Sequence, residues 1–342
     1  MSKKATEFQK KAMSRMYRGK EIFKPLNTGW IDENVACVRE WVANIFFYRK
    51  GGTTIMIDAG YNYDRLEEKM EWLGISPSEI KHILITHQDT DHVGAVEEDS
   101  LGLFKNAKLY IGERENRYLT GEVRRRVVYH MYKLPQVTIN NEKVLLHDGQ
   151  MLEIDGIKTE CFLVPGHTWG HMVYLIDDKY LFTGDTIWFG ADGGYSFISG
   201  LAAYETLQTV MPKEEALNTV HRYVEKRAEN MCGKLKGLLH IPCLYRIVPA
   251  LFTKGMRKMF GEKAGFKSVE RQTDGGVWRV DMLKCPYNDT CIQYGCPELC
   301  HCFCDSDDIT YGHMHSKLIW QRTKTLGRGD DCCDFCIKTE GR

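Results

Sequence analysis

The sequence lacks the features of nucleic-acid-binding and membrane-spanning proteins. Its 46 Lys and Arg residues balance 46 Asp and Glu residues, so no net basic charge attracts nucleic acid or an anionic membrane surface. It has no run of about 18 apolar residues that could cross a bilayer. The stretch "MSKKATEFQKKAMSRMYRGK" has no apolar core typical of an export signal. We therefore expect a cytoplasmic protein with a small-molecule substrate and no nucleic-acid or membrane partner.

Phosphate-binding glycine loops are also missing. The chain contains neither a GxGxxG nor a GxxxxGK[ST] pattern, which argues against a doubly wound nucleotide-binding fold. Short apolar runs such as "TTIMIDAG" are followed by a helical segment, "YDRLEEKMEWLGI", and later by many strands separated by turns. This order predicts the α/β class and an arrangement of two sheets as a sandwich.

Cysteine is scarce in most of the chain and dense near its end. Helical periodicity over about residues 212 to 263 separates the two parts. We therefore predict a first domain at residues 20–210 and a smaller, cysteine-rich domain at residues 211–342. Because no export signal is recognised, we expect reduced thiols. Of the 13 cysteines, those that precede residue 285 are only Cys37, Cys161, Cys232 and Cys243.

Several loops that follow apolar runs carry histidine or aspartate, as in "ITHQDTDHVG", "VPGHTWGH" and "LFTGDT". Imidazole nitrogens and carboxylate oxygens bind divalent metals, and more oxygen ligands shift the preference from zinc toward iron or manganese. Strand ends that meet at one edge of a sandwich would bring these side chains together. The candidate metal ligands are His87, Asp89, Asp91, His92, His167 and Asp185, and the preceding "IMIDAG" adds Asp58.

Taken in order, "IDAG", "THQDTDHVG", "PGHTWGH" and "FTGDT" resemble the metallo-β-lactamase-fold superfamily over about residues 20–205. The resemblance implies an αββα sandwich with two divalent metal ions, zinc first, with iron and manganese as alternatives. Asp58 would order the loop without binding metal. A metal-bound hydroxide would then hydrolyse a small ester, thioester, lactone or related substrate, with Asp91 as the catalytic residue. His87, Asp89 and His167 would hold the first ion, and Asp91, His92 and Asp185 the second, with Asp185 bridging.

Two departures from the family pattern leave alternatives open. The family usually has His where this chain has Asp89, and a carboxylate there is similar to the di-iron site of flavodiiron proteins. The family also places one more His after the bridging Asp, for which the candidates are His221 and His240. The competing hypotheses are therefore a di-iron or iron–sulfur redox protein, or a degenerate metal- or ligand-binding module. We interpret the arginine run 124–126 as the solvated face of a helix, with an anionic substrate as the alternative.

The last part of the chain has its own resemblance. The segments "KCPYNDTC", "GCPELC", "FCDSDD" and "RTKTLGRGDDCCDF" resemble the L-2-amino-thiazoline-4-carboxylate hydrolase-like family over about residues 213–342. This implies a small α+β domain. Because thiolates bind zinc or iron–sulfur clusters, the cysteines are a candidate C-terminal metal or thiol site, with burial as small hydrophobic side chains as the alternative. Its candidate residues are Cys285, Cys291, Cys296, Cys300, Cys304 and Cys333.

Overall fold

The computed structural model places the described residues in two compact units that divide between Val210 and Met211. The predicted domain limits remain a prediction, and residues 20–24 of the first domain lie outside the described residues. No single helix in the described part of the chain meets the length and hydropathy needed to cross a membrane, and one pair bent by 115° passes this test only jointly. The structure describes residues 25–40, 43–61, 65–127, 132–134, 136–189, 195–197, 199–262, 265–273 and 276–340.

The first unit contains a seven-stranded sheet in the order β1-β2-β3-β4-β5-β6-β9. The first four strands pair antiparallel, and β4, β5, β6 and β9 pair parallel. The carboxyl ends of the parallel strands therefore meet at one edge of the sheet. These strands are β1 (Gly29–Trp30), β2 (Val35–Arg39), β3 (Asn44–Lys50), β4 (Thr53–Ile57), β5 (His82–Ile85), β6 (Lys108–Gly112) and β9 (Lys143–Leu146).

The second sheet is antiparallel, in the order β10-β11-β12-β13. All five residues of β12 are buried, which is typical of a strand covered on both faces. Side chains such as Ile57 and Leu84 of the first sheet and Tyr174 of the second share one apolar core. The strands are β10 (Gln150–Ile154), β11 (Ile157–Leu163), β12 (Met172–Ile176) and β13 (Tyr180–Phe182).

Helices cover the outer faces of both sheets. In α1 (Leu66–Trp72), Leu66 and Met70 lie four residues apart on the buried face and join an apolar cluster with the first sheet. On the other side, Ala202 of α4 packs against Val164 and Val173. The predicted αββα sandwich is confirmed. The remaining elements are α2 (Thr90–Val93), α3 (Glu113–Leu119), α4 (Gly200–Gln208) and the strand pairs β7 (Arg126–Val127) with β8 (Tyr132–Lys133) and β14 (Ile187–Phe189) with β15 (Tyr195–Phe197).

The second unit is a four-stranded antiparallel sheet with helices, and the predicted α+β class is confirmed. Its strands follow the order β16-β17-β19-β18, and Trp278 and Ile337 lie in its apolar core. The long α5 packs along α8. Its elements are α5 (Lys213–Leu239), α6 (Val248–Met259), β16 (Lys267–Gln272), β17 (Val277–Lys284), α7 (Pro286–Gln293), α8 (Cys300–Gly312), β18 (Leu318–Gln321) and β19 (Cys333–Thr339).

Candidate metal centre

The loops at the carboxyl end of the sandwich bring the histidines together. His87 lies two residues after the end of β5, and His92 lies in the short helix α2 of the same loop. Their ring centroids are 4.0 Å apart. His167, from the loop between β11 and β12, lies 4.8 Å from the His87 ring. Apolar strands therefore end in polar loops at one point, as the sequence predicted.

Two groups of side chains have ligand atoms within 4.8 Å of one another. Asp185, which follows β13, belongs to both. Its Oδ1 lies 3.1 Å from His92 Nε2, and its Oδ2 lies 3.6 Å from His167 Nε2. Asp185 therefore lies between two candidate cation positions, and its bridging role remains a prediction. The first position is formed by His87, His167 and Asp185, and the second by Asp91, His92 and Asp185.

The buried imidazole nitrogens test whether these residues fit a divalent cation. Nε2 of His87 and Nε2 of His92 are buried and make no hydrogen bond of good geometry, and His92 Nε2 lies 3.1 Å from Asp185 Oδ1, a member of the same ligand group. The opposite nitrogens are occupied: His87 Nδ1 lies 3.0 Å from Thr86 Oγ1, and His92 Nδ1 lies 2.7 Å from Asp58 Oδ2. A buried polar atom without a partner is costly, and a hydrogen bond on one ring nitrogen leaves the other free for metal. The residues therefore fit a divalent metal.

Asp58 contacts the loop that carries His87 and His92 through Thr86 and the His92 ring. Its backbone has φ 60, which is uncommon for a residue with a side chain. Its carboxylate accepts the Thr86 N–H at 2.8 Å and the Thr86 hydroxyl at 2.8 Å. With the contact to His92, these bonds occupy both carboxylate oxygens. Asp58 lies outside the two ligand groups, and its role in ordering the loop remains a prediction.

Asp89 is held differently from the other candidate ligands, and it belongs to neither ligand group. Its carboxylate forms a two-bond ion pair with Arg125, at 2.9 Å from Nε and 2.8 Å from Nη2. Oδ2 also lies 3.0 Å from His167 Nε2. Burial raises the pKa of Asp89, but the contacts of His167 and Arg125 outweigh it and lower the pKa. The assignment of Asp89 to the first metal therefore remains a prediction.

Arg125 was missed by the sequence interpretation. The prediction that the arginine run lies on a helix is wrong, because α3 ends at Leu119 and Arg126–Val127 is a strand. The Arg125 side chain is only 13% exposed, so it is not on a solvated face. One signal was available in the sequence. Asp89 adds a carboxylate to a cluster of histidines, a buried carboxylate requires a positively charged partner, and the arginine run supplies one.

Glu115 is a second functional side chain without a sequence signal. It is fully buried on α3, and its Oε1 accepts the Gln88 N–H at 2.8 Å. Its Oε2 accepts the Thr168 hydroxyl at 2.8 Å and the Gly170 N–H at 3.1 Å. Burial raises the pKa of Glu115 to about 7. Glu115 therefore joins the loop of His87 to the loop of His167.

Burial also shapes the protonation of the cluster. It raises the pKa of Asp91 to about 6, with further contributions from the charges of Asp185 and Asp89, against the effect of His92. It lowers the pKa of His87 well below its usual value, and the neighbouring imidazoles add to this. Among the carboxyl groups of the two ligand groups, the pKa of Asp91 is raised toward neutrality and that of Asp185 is lowered.

The two candidates for an additional histidine ligand lie in the second unit. His221, on α5, has Nε2 at 3.4 Å from Asp305. His240 caps the end of α5 and is exposed, with Nδ1 at 2.8 Å from the Lys236 carbonyl oxygen. Neither residue belongs to the two ligand groups.

All 13 cysteines lie in the described part of the chain, and each is a free thiol. Cys300 and Cys304 approach each other across one helical turn of α8, and both Sγ atoms lie beside Gly327. Among the described residues, the groups with metal-ligand geometry contain no cysteine. The C-terminal metal or thiol site therefore remains a prediction.

The sandwich and its histidine and aspartate cluster define a hydrolase of the metallo-β-lactamase fold. The family model "Metallo-beta-lactamase superfamily" matches residues 38–224, more than half of the 342 residues. The chain belongs to this superfamily. A second family model, "L-2-amino-thiazoline-4-carboxylic acid hydrolase", matches residues 195–337. Both resemblances found in the sequence are confirmed.

Individual proteins are similar at lower identity. The "Probable polyketide biosynthesis zinc-dependent hydrolase BaeB" of Bacillus velezensis is 24% identical over 197 residues, covering 56% of this chain and 77% of the relative. The hydroxyacylglutathione hydrolase GloC of Haemophilus influenzae is 29% identical over 154 residues, covering 44% and 68%. A metallo-β-lactamase structure from Cronobacter sakazakii has 21% identity and a TM-score of 0.36, and the match covers 50% of this chain and 61% of that one.

Proposed function

We propose that the chain is a dinuclear metallohydrolase that cleaves a small ester, thioester or lactone. The observation that carries this proposal is the convergence of the buried Nε2 atoms of His87 and His92 on the shared Asp185, with His92 Nε2 3.1 Å from Asp185 Oδ1. Divalent cations, zinc first, would be held at the two positions described above. When bound, such cations lower the pKa of water and polarise the scissile carbonyl.

The protein's own groups have separate roles in this proposal. Asp91 takes the proton from the attacking water and delivers it to the leaving group, because its carboxylate lies in the ligand group with His92 and Asp185, next to the position of the attacking water. Asp58 holds the His92 ring through Nδ1, so that Nε2 faces the cation position. Glu115 keeps the two histidine loops together.

The names of the relatives support hydrolysis over the redox alternative. One is called a zinc-dependent hydrolase and another a hydroxyacylglutathione hydrolase. The second name favours an acyl substrate, and we propose a thioester as the first class to test. A cytoplasmic location and the absence of nucleic-acid and membrane partners remain proposals.

The test compares hydrolysis of small thioesters, esters and lactones by the metal-loaded chain, the chelator-treated chain and the Asp91→Asn variant. We expect turnover that requires metal and that falls by roughly 10²-fold or more in Asp91→Asn, because the proton carrier is lost. Asp178→Asn is the matched control, since Asp178 is exposed and outside the site. Equal turnover in Asp91→Asn and Asp178→Asn would refute the role of Asp91, and turnover unaffected by chelation would refute the metallohydrolase.

A further inference from the structure

Arg125 brings a permanent positive charge into the metal centre. Its guanidinium is largely buried, and its backbone is held by the Leu134 N–H, which donates to the Arg125 carbonyl at 2.9 Å. An arginine side chain stays protonated in proteins and offers only donors. Its presence among candidate metal ligands therefore affects which of them can bind a cation.

The ion pair uses most of the acceptor capacity of Asp89. Both oxygens accept from Arg125, at 2.9 Å and 2.8 Å. Oδ1 also accepts from Gln88 Nε2 at 2.8 Å. Only Oδ2 keeps a lone pair for another partner, and this oxygen lies 3.7 Å from His87 Nε2. Without a bound cation, both oxygens of Asp89 are therefore already hydrogen-bonded to Arg125.

Arg125 also engages a ring nitrogen of the first cation position. Its Nη2 lies 3.2 Å from His167 Nε2, the nitrogen that lies 3.6 Å from Asp185. In one tautomer this nitrogen accepts from Arg125, and in the other it donates to Asp89 Oδ2 at 3.0 Å. In both tautomers its lone pair is unavailable to metal. A cation at this position must therefore displace a hydrogen bond and approach a guanidinium.

The second cation position has a different environment. Nε2 of His92 lies 3.1 Å from Asp185 Oδ1, a ligand of the same position, and the contacts of Arg125 among the described residues do not include Asp91, His92 or Asp185. Two carboxylates and one imidazole supply net negative charge there. Because Coulomb repulsion falls with distance, Arg125 disfavours a cation at the first position more than at the second.

We propose that Arg125 makes the two metal positions unequal, so that the position of Asp91, His92 and Asp185 fills first and that of His87, His167 and Asp185 fills weakly. Arg125 is in this view a positioning residue that sets the order of metal loading. This inference rests on the proposed function, because it requires the dinuclear site. When metal is scarce, the ion at the first position, formed by His87, His167 and Asp185, is therefore the one that is lost.

The experiment is a titration of the metal-free full-length chain with Mn²⁺, with free Mn²⁺ counted by its electron paramagnetic resonance signal. Manganese is chosen because it prefers oxygen and imidazole ligands over thiolates, which keeps the C-terminal cysteines out of the measurement. We expect two classes of site in the native chain. We expect Arg125→Gln to tighten the weaker class by roughly 10- to 100-fold, the usual size of effects from groups behind metal ligands.

The controls separate this effect from disturbance of the fold. Arg124→Gln changes the neighbouring exposed arginine and should bind Mn²⁺ as the native chain does. Asp89→Asn/Arg125→Gln removes both charges of the ion pair and should also tighten the weaker class, even where Arg125→Gln alone folds poorly. His167→Ala should remove the weaker class, and His92→Ala the stronger one.

The outcomes distinguish the two proposals. Two equal sites in the native chain, or unchanged weaker binding in both Arg125 variants, would overturn the inference and leave the dinuclear site intact. Absence of Mn²⁺ and Zn²⁺ binding at both positions would overturn the proposed function itself. Loss of the stronger class in His167→Ala would show that the order of filling is reversed, which would also refute the inference.

Discussion

Single atoms decide how tightly the loops of the metal centre pack. Gly184 precedes Asp185 with φ +48, a backbone conformation that favours glycine. A Cβ built there would lie 2.5 Å from Thr86 Oγ1 and 2.8 Å from His171 Nε2. His171 accepts the Asp185 N–H at 3.2 Å. Glycine at position 184 therefore allows the backbone before Asp185 to pack closely against Thr86 and His171.

We predict that Gly184→Ala destabilises the chain by about 2 to 4 kcal/mol, because it adds a steric clash to an unfavourable φ. Urea unfolding of the metal-free chain measures the change. Gly149→Ala is the matched control, since Gly149 has φ +68 and open space around its Cβ. It should lose only about 1 kcal/mol from backbone conformation. Equal losses in the two variants would mean that the contact with Thr86 and His171 is unimportant.

At the scale of elements, one short helix connects two loops that are distant in sequence. Glu115 of α3 binds the Gln88 N–H beside His87 and the Thr168 hydroxyl beside His167. These loops follow β5 of one sheet and β11 of the other. Their relative position, and therefore the distance between His87 and His167, depends on this buried carboxylate.

We predict that Glu115→Ala weakens Mn²⁺ binding by roughly 10- to 100-fold, because both histidine loops lose a shared anchor. The Mn²⁺ titration followed by electron paramagnetic resonance measures this change in affinity. Glu113→Ala changes an exposed glutamate on the same helix, whose contact is with His147 at the surface, and should bind metal normally. Normal affinity in Glu115→Ala would mean that backbone packing alone holds the loops.

At the scale of the whole molecule, the chain consists of two units with separate cores. The apolar clusters that surround the metal centre contain residues before Val210, and the second unit has its own core around Trp278 and Ile337. Both ligand groups lie in the first unit. The second unit is therefore not needed to complete these two groups.

We predict that a chain ending at Val210 folds and keeps both classes of Mn²⁺ site, since all members of the two ligand groups precede this residue. Circular dichroism checks the fold, and the titration checks the sites. A folded fragment that has lost one class would indicate a ligand from the second unit, for which His221 and His240 are the candidates.

The sequence alone was sufficient for the sandwich and for the loops that carry the candidate ligands. Strands such as Thr53–Ile57 and His82–Ile85 are short apolar segments followed by aspartate or histidine, so local pattern identifies both the strand and its polar end. The motifs around His87, His167 and Asp185 were therefore recognisable without coordinates. The arginine run was misinterpreted because its charge was judged only by its immediate neighbours.

The sequence by itself determined the two-part organisation, the strand ends that carry the candidate ligands and the family. Only the tertiary structure decided the partners of the buried charges. Arg125 meets Asp89 across 36 positions of sequence, and Glu115 meets Thr168 across 53. Periodicity reports the environment of nearby residues, whereas such pairings depend on how distant loops meet after the sheets have packed. For this reason the sequence could predict the candidate ligand residues, and it could not predict which charged side chain contacts them.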